Sequence, residues 1–152
     1  MSYSMGSIDC LAVKINNEYF EALKRDIQLF KENKLDVTDE AQLGLLKNWV
    51  DEEFDSVDDL INIDNDIRYY NGGKNSENYA YQTPIDLKTG TLGNVDNFDG
   101  YVYEISWGSS SIYKPEFKDK EDLIYGIKQI MYVPTTFKLE NNVIFLTGVW
   151  GG

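Results

Sequence analysis

A chain of 152 residues with 42% hydrophobic and 14% aromatic content reads as one globular domain, 1–152, because a disordered chain of this length would carry fewer aromatic and β-branched residues. The net charge of −12 argues against nucleic acid or anionic membrane as a direct ligand, since both repel such a surface. One cysteine excludes an internal disulfide framework. No apolar run approaches the ~20 residues that cross a bilayer, and Met1 to Ser7 is too polar for a leader, so a reducing cytoplasm is the expected compartment.

In chain order, Ile8 to Ile15 (IDCLAVKI) predicts a first strand that is apolar on both faces apart from Asp9 and Lys14, as suits an inner position. Cys10 lies within it as a small core residue. Asn16 and Asn17 offer an N-cap for a helix to about Lys34, with Tyr19, Phe20, Leu23, Ile27 and Phe30 on one face. Glu18 and Glu21 in its early turns, and Lys31 and Lys34 in its last, follow the helix dipole.

The stretch from Asp36 to Asp66 sets the chain apart. It holds eleven acids (Asp36, Asp39, Glu40, Asp51, Glu52, Glu53, Asp55, Asp58, Asp59, Asp64 and Asp66) against one base, Lys47, and so carries −10 of the −12. Thr38 is the predicted cap of a second helix, whose apolar stripe runs through Leu43, Leu46, Val50, Phe54, Val57 and Ile61. Asp55 and Ser56 predict a break, followed by a third helix from about Val57 to Ile63. Acids three and four apart around Asp55 disfavour a continuous helix by roughly 0.2–0.5 kcal/mol per pair, which a kink relieves. Drawn as one helix, the segment would span roughly 46 Å at ~1.5 Å per residue. That is about one net charge per 4.6 Å, against about one per 3.4 Å in a nucleic-acid strand.

Residues 65–100 are rich in Asn, Gly, Asp, Ser and Thr, with turn signals at Asn71-Gly72-Gly73, Thr89-Gly90 and Leu92-Gly93-Asn94. Tyr69-Tyr70 either closes the helical part or opens a strand. Tyr79 and Tyr81 predict a short strand, and Ile85 to Leu87 another. Tyr101 to Trp107 alternates clearly, with Tyr101, Tyr103, Ile105 and Trp107 on one face and Val102, Glu104 and Ser106 on the other. Asp119 then caps a helix to about Met131. Pro134 precedes an expected strand, Thr135 to Leu139, and Asn141-Asn142 an expected hairpin turn into a last strand, Val143 to Trp150. The predicted class is α+β, with helices on one side of a mainly antiparallel sheet.

No histidine is present, which removes the commonest acid–base group and the histidine-dependent nucleophile pairs and zinc sites. Gly108-Ser109-Ser110-Ser111 lacks the second glycine of a nucleophile elbow, and no phosphate-binding glycine loop occurs. A calcium loop around Asn97 to Gly100 fails at Val95 and Ser106. Asp58, Asp59, Asp64 and Asp66 have the hard oxygens that Mg²⁺ takes, but adjacent exposed aspartates are more often simply solvated. No metal or cofactor is therefore expected. The expected function is non-catalytic: an acidic inhibitor that binds the basic surface of a nucleic-acid-handling protein (a nuclease, a toxin or a CRISPR effector), of the immunity-protein or anti-CRISPR DNA-mimic type. The alternatives are an acidic adaptor without inhibitory role and, less favoured, a carboxylate-based enzyme. The expected partner-binding residues are Asp51, Glu52, Asp55, Asp58, Asp59, Asp64 and Asp66, with Trp49, Tyr69 and Tyr70 as aromatic anchors.

Overall fold

The computed structural model describes residues 5–70, 78–87, 89, 91–105 and 120–151. The elements run β1 (Met5–Ile15), α1 (Asn17–Lys31), α2 (Glu40–Val50), α3 (Val57–Ile63), β2 (Ile67–Tyr70), β3 (Asn78–Pro84), β4 (Asp96–Phe98), β5 (Gly100–Ile105), α4 (Lys120–Ile130), a 3-10 turn (Leu139–Asn141) and β6 (Val143–Gly151). The class is α+β, with one six-stranded sheet in the order β2-β5-β1-β6-β3-β4 and every described ladder antiparallel. No helix among the described residues is long and apolar enough to cross a membrane.

Local chemistry accounts for the helices. Asn16 caps α1 by accepting the Tyr19 N–H, and Tyr19, Phe20, Leu23 and Ile27 bury their shared face. α3 begins where the break was expected: the Asp59 carboxylate accepts from the backbone N–H groups of Asp55 and Ser56, closing a capping box. The cap of α2 is Asp39 rather than Thr38. Its carboxylate accepts from the Ala41 and Gln42 N–H groups and also favours the positive end of the helix dipole.

One face of the sheet (Leu11, Val13, Ile15, Ile67, Tyr103, Ile105, Val143, Phe145) packs against all four helices, into which Leu23, Leu46, Leu60 and Ile127 project. The other face builds a separate cluster of Ala12, Tyr70, Ala80, Phe98, Val102, Ile144 and Leu146. That second core follows from curvature. β4 and β5 stand four places apart in the sheet order, yet Asp99 alone separates them in sequence. In a flat sheet four spacings would be ~19 Å, whereas Phe98 and Gly100 are at most about 7.6 Å apart along the chain. The sheet therefore curls back on itself and encloses this cluster, where Ala12 and Ala80 suit the narrow interior. Gly100 makes the corner at φ +144°, a conformation that side-chain-bearing residues rarely adopt.

The segment after α4 departs from expectation. Residues 135–139 form no strand, and Asn141-Asn142 is no hairpin turn: the Asn142 N–H instead bonds Leu139 O to close the 3-10 turn. The physical reason is that side chains satisfy this backbone in place of a ladder. The Gln42 amide donates to Lys128 O and Met131 O and accepts from the Val133 N–H. Buried Asp26 accepts from the Tyr132 hydroxyl and from the Thr135 N–H and hydroxyl. Ile85 makes only an isolated bridge to Leu92 instead of opening a strand. Asp119, Ser106, Trp107, the serine run at 108–111 and the turns at 71–73 and Gly90 lie outside the described residues.

Candidate functional site: an acidic face beside a tyrosine ladder

The acids of 36–66 do not form one continuous helical stripe. α2 itself contains only Glu40 and Lys47 as charged residues, and its length of ~16 Å separates two groups. Asp36 and Asp39 lie at its start, in a cleft shared with Lys128 and Glu140. Asp51, Glu52, Glu53, Asp55, Asp58, Asp59, Asp64 and Asp66 lie beyond its end, on the turn into α3, in the first turn of α3 and on the α3–β2 connection. The rod-like spacing of a nucleic-acid strand is thus interrupted, and of the second group Glu52, Asp64 and Asp66 share one cleft. The ion pair of Arg68 Nε with Glu104 Oε2, at 3.6 Å, involves none of these acids, and among the described residues no carboxylate of this group has a cationic partner.

The patch is held in place from below. Phe54 turns inward between its acidic neighbours, and its ring meets Trp49 edge-on at 5.9 Å and Phe20 at 5.9 Å. Lys24 Nζ lies over the Phe20 and Phe54 rings and donates to Phe54 O at 3.4 Å. Asp51, Glu52, Glu53 and Asp55 consequently face solvent while the turn that carries them is nailed to α1.

Beside the patch, one face of the β2–β5 ladder presents three tyrosines that donate to carboxylates. Tyr103 Oη reaches Asp66 Oδ2 at 3.3 Å, Tyr101 Oη reaches Asp58 Oδ1 at 2.6 Å, and Tyr69 Oη reaches Asp99 Oδ1 at 2.8 Å. Tyr69 and Tyr101 are directly paired in register, with ring centroids 4.9 Å apart and planes tilted by 57°. The hydrogen bond to Asp58, with some loss of hydration and the Asp58 charge, pushes the Tyr101 hydroxyl up to about 12. The bond to Asp99 likewise raises Tyr69, and burial raises Tyr103. All three therefore remain protonated donors at neutral pH.

A cleft of about 420 Å³ opens between α2, the α3–β2 connection and the end of α4; Glu52, Asp64 and Asp66 lie along it and Trp49, Tyr103 and Tyr132 among its walls. Burial raises the Asp64 carboxyl above the usual range; the Asp66 N–H bonded to it lowers it in part, and the Asp66 charge raises it again. A folded pKa above the unfolded one means that stability is fully present below the unfolded pKa and is lost as pH rises through the folded pKa. Asp64→Asn keeps the acceptor oxygen without the charge. It is expected to be more stable than wild type at pH 7, with the difference vanishing at about pH 3, below the unfolded pKa. Urea midpoints at the two pH values check this; an Asn variant less stable at pH 7 would contradict it.

Two expected anchors are not available as contact surface. Trp49 is 5% exposed, its indole packed into the helical core. Tyr70 is also 5% exposed, because alternation along β2 turns it away from Tyr69 and into the enclosed cluster, where its hydroxyl donates to Glu104. Tyr69, at 47%, is exposed. Asp58 and Asp59 each have a structural bond as well as a charge, to Tyr101 and to the α3 cap respectively. Residues that the sequence reading left out are Tyr101, Tyr103 and Asp99. The period-two tyrosines of 101–105 were visible as a strand face, but nothing local linked Asp99 to Tyr69. Among the described residues no group of three Cys, Asp or Glu side chains is placed to hold a metal ion. Comparison with protein-family models, with characterised proteins and with solved structures gave no match.

Proposed function

We propose that this chain is a non-catalytic binding protein of the cytoplasm whose 51–66 face docks on the basic surface of a nucleic-acid-handling protein. The type is that of an immunity protein against a nuclease toxin or an anti-CRISPR inhibitor. The observation that supports the reading is the acidic group itself: eight carboxylates beyond α2 with no cationic partner among the described residues, four of them on a turn that Phe54 anchors. Such a field speeds encounter with cationic surfaces and disfavours anionic ones.

The test uses Glu52→Lys, Glu53→Lys and Asp55→Lys together, because these side chains are exposed and no cap or tyrosine depends on them. Asp58 and Asp59 are left intact for the structural reasons above. Against a panel of basic nucleases and RNA-guided effectors, wild type is expected to bind and inhibit at least one, more weakly as salt rises from ~50 to ~200 mM. The triple variant should lose roughly tenfold or more in affinity at low salt while melting as wild type does. Equal binding by the variant, or no binding to any basic protein at low salt, overturns the proposal. Binding that leaves the partner's activity intact makes the chain an adaptor instead.

A further inference from the structure

The acidic patch supplies attraction but little geometry, whereas the Tyr69–Tyr101 pair next to it has a definite shape. We propose that this pair receives an arginine side chain from the partner's basic surface, an inference that rests on the docking reading above. The two rings form a closed wedge in mutual contact, 4.9 Å between centroids and tilted by 57°, so a flat cation would stack on the exposed Tyr69 ring rather than enter between the two. Tyr69 lies on β2, the edge strand of the sheet, and is one of three large hydrophobic side chains exposed among the described residues. Each phenol donates to a carboxylate, Tyr69 to Asp99 and Tyr101 to Asp58. Donation to an anion fixes the ring and enriches its π-face in electron density, which favours a cation stacked upon it. Asp58 and Asp99 are both exposed, and a carboxylate has about four lone-pair sites, so each keeps capacity to accept further donors at the wedge rim.

Planar aromatic faces bordered by carboxylates match a guanidinium better than an ammonium. The guanidinium stacks flat and directs in-plane N–H groups outward to paired oxygens, whereas lysine brings a compact, strongly hydrated point charge. No cation among the described residues stacks on the Tyr69–Tyr101 pair. The adjacent cation, Arg68, points to the opposite face by strand alternation and pairs with Glu104. The cation–ring contacts among the described residues are those of Lys24 with Phe20 and Phe54. Charge complementarity therefore selects a basic partner, and ring geometry selects arginine within it.

The probes are two dye-labelled decapeptides of equal charge, one alternating Arg and Gly and the other Lys and Gly, titrated at low salt and followed by fluorescence anisotropy. The arginine peptide is expected to bind about two- to fivefold more tightly, with one whole exposed cation–π contact as the upper bound. Tyr69→Ala should bring the two peptides to the same affinity, while Tyr69→Phe, which keeps the ring, should retain most of the preference. Tyr69 is exposed, so both variants are expected to fold, and thermal melts check this. Equal affinities in wild type, or a preference that survives Tyr69→Ala, overturns the proposal. If both peptides bind equally and the Glu52, Glu53, Asp55 lysine variant loses both, the docking reading stands and the arginine wedge alone fails. If neither peptide binds, both fail. A dimer in sedimentation that Tyr69→Ala dissociates would assign the wedge to a second copy of the chain and overturn the proposal too.

Discussion

Asp26→Ala is expected to lower the unfolding free energy by about 3–5 kcal/mol, the cost of leaving buried donors without their charged acceptor. Asp26 is fully buried, and its oxygens accept from Tyr132 Oη at 2.6 Å and from the Thr135 N–H and hydroxyl at 2.8 Å each. Thr135 lies at the surface and can turn to water, but Tyr132 is 1% exposed and cannot. Asp26→Asn separates hydrogen bonding from charge. Its amide oxygen can take the Tyr132 and backbone donors, and its NH₂ can donate to a reoriented Thr135 hydroxyl, so the whole set is satisfied. The Asn variant should therefore retain most of the wild-type stability in urea denaturation. An alanine variant as stable as wild type would show that this carboxylate does not fasten the 131–139 segment to α1.

Trp49→Ala tests whether the indole belongs to the core or to a contact surface. A buried Trp replaced by Ala costs about 3–5 kcal/mol, which in a domain of this size lowers the melting temperature by roughly 6–20 °C. Trp49 is also the ring against which Phe54 packs, and Phe54 holds the acidic turn to α1 through Phe20. The destabilisation should therefore come with faster amide exchange in residues 51–56, because a turn that loses its apolar anchor opens more readily. A variant that melts with wild type but loses partner binding would return Trp49 to the surface role that its sequence context suggested.

The elements that could be read from the chain are those whose determinants are local. α1 follows from an asparagine cap and apolar residues at three- and four-residue spacing, and α3 from the Asp55-Ser56 break with Asp59 at the third helical position. β1 follows from a short run apolar on both faces, and β5 from alternation within a few residues. The segment between α4 and β6 could not be read this way. Its proline, threonines and asparagines resemble a strand and a hairpin, but its backbone is satisfied by side chains far away in sequence: Asp26, 106 residues before Tyr132, and Gln42, 91 residues before Val133. No pattern within 130–142 encodes those partners.

The charge of the candidate site was likewise a property of the sequence, and its arrangement was not. Composition alone places ten of the net negative charges between residues 36 and 66, because formal charge is additive and needs no coordinates. Which of those carboxylates cap a helix, which accept a tyrosine and which face water depends on directions set by packing. Burial of Trp49 and Tyr70 has the same origin, since an aromatic side chain is equally at home in a core or at a contact, and only the layers around it decide. The meeting of Asp99 with Tyr69 depends on the β2–β5 ladder, whose register sets Tyr70 opposite Gly100 and so brings Asp99 beside an edge strand. That pairing joins segments 30 residues apart, and no single stretch of the chain contains it.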